Sequence, residues 1–305
     1  MKMQYSLPLS TTPLVDLAEE MGRDVESVLE AVKRYAGYGV LKRYGLNLNY
    51  RAFSNYRKAA LVGFKAENFK EVAKIINRHD EFRVKHNFLR DDHYNVWFTI
   101  KGRDTEEIRR SVESIALETG VSDYVILPTK RIYKMDVKYD LYKGVSWSER
   151  DLEPENIPKI VELGFDEDFV RKLESLEITE RPFSGFPSYS EEEVVDIVRE
   201  LMDRGVGRDF SGVLKERKVG FRENGMTVLK VSEEPEKVAR ILLKKFPQIT
   251  HLIERVVDER WNYPLYFMVH AAKREPIEEI RERVLRIKGV KEARTIYSKA
   301  NLRET

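Results

Sequence analysis

At 305 residues and 42% hydrophobic side chains, the chain is long enough for about two domains with sizeable cores. It contains no cysteine, which excludes disulfides, thiolate metal sites, iron–sulfur clusters and cysteine nucleophiles. It has no apolar run of about 18 residues and no signal-peptide pattern, so a cytoplasmic protein without membrane partners is expected. The net charge of +2 lacks the basic excess of a typical duplex-DNA binder, and the 35% of charged residues resemble the surfaces of proteins from hot environments.

The chain opens with TTPLVDLAEEMG and DVESVLEAVKRYAGYG, two helical patterns around Gly22-Arg23, followed by VLKRYGLNLNYRAF, which reads as a short β-wing. This is the outline of the end of a winged helix-turn-helix. From Lys58, KAALVGFKA is a strand and ENFKEVAKIINRHD a helix with Phe69, Val72, Ala73 and Ile76 on one face. FRVKHNFLR and YNVWFTIKG are strands around the turn Asp91-Asp92-His93. DTEEIRRSVESIALETG is a helix capped by Asp104 and stopped at Gly120, and DYVILPTKRIYK is a last strand.

After an acidic linker with short helices, SEEEVVDIVRELMDRG starts a helix at Ser190 with Glu193 completing a capping box. VGRDFSGVLKERKVGFRENG is its wing. From Met226 follow the strand MTVLKVS, the helix EEPEKVARILLKKFP with Pro235 in its first turn, and the strands ITHLIERVV and YPLYFMVHA. The helix EPIEEIRERVLRIKG, ending at Gly289, and the strand VKEARTIYSKAN close the chain.

Both halves thus read β-α-β-β-α-β. His86 and His251 hold the same place in their copies, and Arg90 and Arg255 follow each by four residues. The chain is a tandem duplication. The fold class is α+β: a degenerate winged helix-turn-helix plus a ferredoxin-like βαββαβ module, twice. The expected boundaries are 1–57 and 58–145 for copy one, 146–187 for the linker, and 188–225 and 226–305 for copy two. Each module leaves one sheet face bare, and the other copy is its natural cover, giving a pseudo-dimer within one chain. Such fused chains are also candidates for further homo-oligomers.

A winged helix-turn-helix followed by βαββαβ resembles the Lrp/AsnC regulators. Within that superfamily the motifs look more like siroheme decarboxylase. HNFLRDDHYNVWFTI resembles that family's His-Asn-Tyr-x-Arg…Asn-x-Trp-Phe strand pair and carries His86, Arg90, His93, Asn95 and Trp97. ERPF, SEEEV, LKERKVGFRENGM and WNYPLYFMVHA resemble the wing of the family's partner subunit and its Trp-Pro-Tyr-Asn-Leu-Tyr-x-Met-Ile-His strand, which brings in Trp261, Tyr266 and His270. The chain looks like both subunits fused. It departs from the pattern at Asn262 and Pro264, which have exchanged places, at Leu252-Ile253 after His251, and in the wings, which read Lys42-Arg43-Tyr44-Gly45 and Arg208-Asp209-Phe210-Ser211.

The resemblance implies an iron tetrapyrrole substrate with eight rim carboxylates, of which two acetate carboxylates are lost as carbon dioxide. Arginine forks suit such carboxylates. Arg43, Arg51, Arg57 and Lys58 on the first wing and its exit, and Arg217, Lys218 and Arg222 on the second, are candidates beside Arg90 and Arg255. Trp97, Phe98, Tyr266 and Phe267 are candidate flat walls. His86 or His251 is the expected proton donor, or alternatively a ligand of the substrate's iron. No cofactor beyond the substrate is implied. Blander roles stand beside these: core packing for Trp97 and Tyr266, a turn for His93, solvated surface for the wing cations, and a favourable helix C-terminus for His79.

Two other functions compete: a DNA-binding Lrp/AsnC-type regulator and a non-catalytic small-molecule sensor. The candidate recognition helices begin with Asp24, Glu26 and Glu30, and with Glu191, Glu192 and Glu193. Carboxylates there repel phosphate, and 182–190 is too short for a full middle helix, so DNA is not the expected partner.

Overall fold

The computed structural model describes residues 1–5, 7–80, 82–150 and 152–303. In chain order the elements are α1 (Lys2–Tyr5), α2 (Pro13–Glu20), α3 (Val25–Gly37), β1 (Leu41–Leu48), β2 (Lys58–Phe64), α4 (Phe69–Ile76), β3 (Val84–Arg90), β4 (Val96–Gly102), α5 (Thr105–Thr119) and β5 (Tyr124–Met135). There follow β6 (Tyr139–Asp140), β7 (Val145–Ser146), α6 (Glu167–Lys172), α7 (Glu191–Asp203), β8 (Gly207–Leu214), β9 (Glu223–Val231), α8 (Pro235–Lys245), β10 (His251–Arg255), β11 (Leu265–Ala271), α9 (Glu275–Leu285) and β12 (Val290–Asn301). They form two compact units. One gathers residues 1–53, 137–144 and 156–221, and the other residues 54–136, 145–155 and 222–305. The units collect the pieces by kind rather than by copy: the segments with α2, α3, β1, α7 and β8 in one, βαββαβ modules in the other.

In the module unit the helices start and stop where local chemistry dictates. Asp104 caps α5 by accepting the Glu107 amide at 2.7 Å, and Gly120 ends it in the left-handed conformation. Along β2 and β4, Val62, Phe64, Phe98 and Ile100 are fully buried against Val72 and Ile76 of α4 and Ile108 and Val112 of α5. Copy two repeats this with Leu229, Leu265, Phe267 and Val269 against Val238 and Leu242 of α8 and Ile277 and Val284 of α9. Each such side chain contributes about 1.5–3 kcal/mol of burial. Helix α9 stops at Leu285, short of Gly289.

The two four-stranded sheets do more than cover one another. The strand order β10-β5-β2-β4-β3-β12-β9-β11 closes through the pairing of β10 with β11, making an eight-stranded ring. The seams are pseudo-equivalent: β3 meets β12 with Arg90 opposite Ser298, and β10 meets β5 with Arg255 opposite Thr129. The long β5 and β12 make this possible, each spanning its own copy and reaching into the other. Closure gives each of these eight strands a neighbour on both sides. The residues alternating with the helix-side cores point inward.

In the other unit, β1 and β8 pair antiparallel, from Leu41 opposite Leu214 to Leu48 opposite Gly207. Each wing therefore supplies one strand of a shared two-stranded sheet, where the sequence suggested two separate wings. Gly45 in β1 has φ +144°, and a Cβ there would lie 2.3 Å from the Leu173 carbonyl oxygen, so only glycine fits. Ser190 caps α7 within a reciprocal box with Glu193, as the sequence predicts.

Candidate functional site

Strand alternation decides which candidates face the ring interior. In copy two, Leu252 and Phe267 oppose one another in the helix-side core, so His251, Tyr266, Met268 and His270 take the inward face. His251 opposes Met268, which makes His270 its diagonal neighbour at about 7–8 Å. His251 Nδ1 lies 3.0 Å from Thr250 Oγ1, which also donates to the Met268 carbonyl at 3.2 Å. His270 opposes Asn224 of β9, and their side chains approach at 3.5 Å between Asn224 Nδ2 and His270 Nδ1. Ser146 Oγ of β7 accepts the His270 backbone N–H at 3.1 Å.

Arg90, from copy one, completes this group across the seam. It is 4% exposed, and its guanidinium donates to the Ile296 carbonyl at 2.9 Å and to Asn224 Oδ1 at 3.1 Å. At the other seam Arg255 is equally buried and donates to the Leu127 carbonyl at 3.4 Å, to Thr129 Oγ1, and to the Tyr266 hydroxyl at 2.9 Å. The two arginines that sequence comparison of the copies singled out are therefore the seam clamps of the ring.

A second group joins Trp97 and Trp261, one from each copy, with ring centroids 4.9 Å apart. Tyr94 and Tyr263 flank Trp261 at 6.0 and 5.2 Å. The Trp97 indole N–H donates to the Tyr94 carbonyl, and its ring lies on Gly63, where a Cβ would come within 2.8 Å. Arg294 lies over the Trp261 and Tyr263 rings, 5.3 Å from each centroid, and pairs with Asp92. Burial works against the Arg294 charge, but the Asp92 carboxylate outweighs it and raises the guanidinium pKa.

The remaining candidates fall elsewhere. His86 is exposed on a β-bulge of β3, with Val84 opposite Ile100 and Asn87 opposite Phe98, and stacks on Phe88 at 5.9 Å. Phe98 and Phe267 are fully buried in the helix-side cores, which corrects their reading as flat walls. Both ends of the Asn95 amide bind the Ala66 backbone at 2.8 Å, bracing the hairpin to the end of β2. His93 Nε2 pairs with Asp123 at 2.8 Å, and that contact is the main cause of the lowered Asp123 pKa. His79 follows the end of α4 at Ile76 and donates its backbone N–H to the Ile76 carbonyl at 3.3 Å, while burial, with Arg83 next, lowers its imidazole pKa. Lys58 and Arg222 are exposed where β2 and β9 begin, and Arg57 is half-buried beside Lys58.

In the wing unit, Arg43 is tied to Glu174 at 2.9 Å and to Asn47 at 2.9 Å. Tyr44 is fully buried with its hydroxyl on the Glu177 carbonyl at 2.6 Å, and burial raises its pKa. Full burial of Tyr44 corrects its reading as a substrate contact, while Arg43 is held by the wing's own partners. Arg51 bonds Asn49 at 3.3 Å, and Arg217 and Lys218 are exposed. Asp24, Glu26 and Glu30 present exposed carboxylates at the start of α3, and Glu191 at the start of α7 pairs with Arg181 at 2.7 Å.

Sequence reading missed Asn224, Thr250, Asp92 and Arg294. Asn224 carried a usable signal, a polar residue two places before Met226 on the inward alternation of a strand. Among the described residues no group of three His, Asp or Glu side chains is arranged to hold a metal ion, and no helix is long and apolar enough to cross a membrane.

A duplicated βαββαβ module closed into a ring defines a class: residues 56–134 and 218–303 each match the AsnC-like ligand binding domain, and the chain belongs to that family. Within it, the chain is a member of the siroheme decarboxylase family. It is 28% identical to the siroheme decarboxylase of Hydrogenobacter thermophilus, over 97% of this chain and 89% of that one. It is 31% identical to the siroheme decarboxylase beta subunit of Methanosarcina barkeri, over 43% of this chain and 89% of the subunit. A crystal structure of the siroheme decarboxylase NirDL in co-complex with an iron-uroporphyrin III analogue matches 98% of this chain and 89% of that one, at 25% identity and a TM-score of 0.65.

Proposed function

We propose that this chain is a siroheme decarboxylase in which both homologous subunits are fused, acting in the cytoplasm on an iron tetrapyrrole without a further cofactor. The observation that carries the reading is the match along nearly the whole chain to a structure that holds an iron-uroporphyrin III analogue. In each of two events the bond between an acetate methylene and its carboxylate breaks. Carbon dioxide leaves, the electron pair stays on the methylene carbon and spreads into the macrocycle, and one proton is taken up to give a methyl group. The change consumes a proton and no electrons.

His251 and His86 are the assigned proton donors, with Arg90 and Arg255 supplying cationic character to the ring and Trp97, Trp261 and Tyr266 apolar surface. Lys58 and Arg222 suit rim carboxylates, because exposed cations can exchange water for a polyacid, and Arg57 lies beside Lys58 as a further cation for the same rim. Acidic first turns on α3 and α7 favour neither base edges nor phosphates, so DNA is not assigned as a partner.

The test is a visible-spectrum titration of the full chain with siroheme under anaerobic conditions. A saturable spectral change is expected in wild type. His86→Ala and His251→Ala should weaken it or lower turnover by about tenfold or more, since a positioned acid contributes at least about a hundredfold. A spectrum that is the sum of its parts would refute binding, and variants matching wild type in both readouts would remove these histidines from the site.

A further inference from the structure

We infer that Asn224, itself fixed by Arg90, sets the tautomer of His270 so that Nε2 carries its proton, and that only one half of the pseudo-symmetric chain has this device. Its catalytic meaning rests on the decarboxylase reading; the tautomer rests on geometry alone.

A guanidinium has five N–H donors and no acceptor. The amide atom of Asn224 facing Arg90 Nη2 at 3.1 Å is therefore the oxygen, because the reverse orientation would set two donors against each other. With the oxygen committed to Arg90, the NH2 end of the amide is the one turned to His270 Nδ1, at the long hydrogen-bonding distance of 3.5 Å. A donor there requires the lone pair on Nδ1, and a neutral imidazole then holds its single proton on Nε2. The bond from the His270 backbone N–H to Ser146 Oγ at 3.1 Å pins the strand position from which the ring projects. His270 thus offers a proton from Nε2, on the same inward face as His251.

The pseudo-two-fold makes this assignment informative. Arg90 and Arg255 make the same clamp on the carbonyls of Ile296 and Leu127. They part at the next contact. The residue in copy one that corresponds to Asn224 is Ala59, and its cross-strand partner is Lys101 in place of His270. Lys101 is turned to the Phe82 carbonyl at 2.6 Å and lies 4.3 Å from the centre of the Phe82 ring. Arg255, with no amide to reach, goes to the Tyr266 hydroxyl of its own copy. The duplicated frame is kept, and among the described residues the relay from arginine through amide to imidazole is built at one of the two equivalent places. Arg90 and Asn224 are positioning residues, and the half built on β9 to β11 is the one in which an amide fixes the proton position of an inward histidine.

The experiment is long-range proton–nitrogen correlation NMR on the full chain labelled with 15N-histidine, without substrate, at pH 8. The His270 signals are identified by their loss in His270→Gln. Wild type should show a pyridine-type Nδ1 and a pyrrole-type Nε2. In Asn224→Asp the carboxylate meets Arg90 with one oxygen and accepts from Nδ1–H with the other, so the pattern should invert, with turnover falling about tenfold or more while KM stays within about twofold. A wild-type Nδ1–H pattern, or an uninverted Asn224→Asp, overturns the proposal. Should the aspartate variant fail to fold, the wild-type pattern alone decides. An inactive wild type with the Nε2–H pattern would count against the decarboxylase reading and leave the tautomer assignment standing.

Discussion

Replacing Lys134 with methionine should change how stability depends on pH in a defined window. Lys134, in β5, is 1% exposed, and its ammonium donates to the Ser148 carbonyl while Ser148 Oγ donates to Asp136. Burial pushes its pKa down from 10.5 to about 8; Asp136 opposes this, and Arg150 adds to it. Below pH 8 both folded and unfolded chains hold the proton, and the folded state bears the full cost of the buried charge. As pH rises through 8 the folded chain releases the proton while the unfolded chain keeps it to 10.5, so stability increases with pH.

At about 1.4 kcal/mol per pH unit, the gap from 10.5 to about 8 amounts to about 3 kcal/mol, of which about 2 kcal/mol appears between pH 7 and 9.5. That upper limit stays below the range where Tyr133 and Tyr297 act in the opposite sense. Burial, then Glu254 and Glu278 respectively, raise their pKa values, so they remain protonated when folded after the unfolded chain has ionised. The assay is urea unfolding followed by tryptophan fluorescence at several pH values. Trp97, Trp147 and Trp261 all lie in the module unit and report its unfolding alone. Wild type should gain about 2 kcal/mol relative to Lys134→Met across the window. Parallel curves for the two proteins would refute the reasoning.

Asn95→Ala removes both bonds that brace the hairpin to Ala66 and should destabilise the module unit by about 2 kcal/mol in the same assay, with turnover per folded chain unchanged. Gly63→Ala puts a methyl 2.8 Å from the Trp97 ring, so Trp97 must shift against Trp261. A loss of about 1–3 kcal/mol and a shifted tryptophan emission are expected, and an unchanged spectrum would contradict the packing described.

Much of the fold was legible because the same periodicities occur twice. The helix starts at Asp104 and Ser190 followed from local side-chain chemistry, and capping is a short-range event. Inward and outward faces were harder to assign. Strand β4 is buried on both faces, so alternation does not separate Trp97 from Phe98; only contact with α4 and α5 does. Ring closure needed a different kind of evidence. The tails of β5 and β12 run past what their own copies can pair, and that excess length was a sequence-level trace of the seams. The partners of Arg43 and Tyr44, Glu174 and Glu177, lie far away in the linker, and no local pattern announces such a meeting.

The most direct test of the function is the fate of siroheme itself. Purified chain is incubated with it anaerobically, and the extracted tetrapyrrole is weighed by mass spectrometry. The expected product is lighter by two carbon dioxides, with two methyl groups where acetates stood. Siroheme recovered at its original mass, from a sample whose spectrum shows it bound, would rule out decarboxylation by this chain.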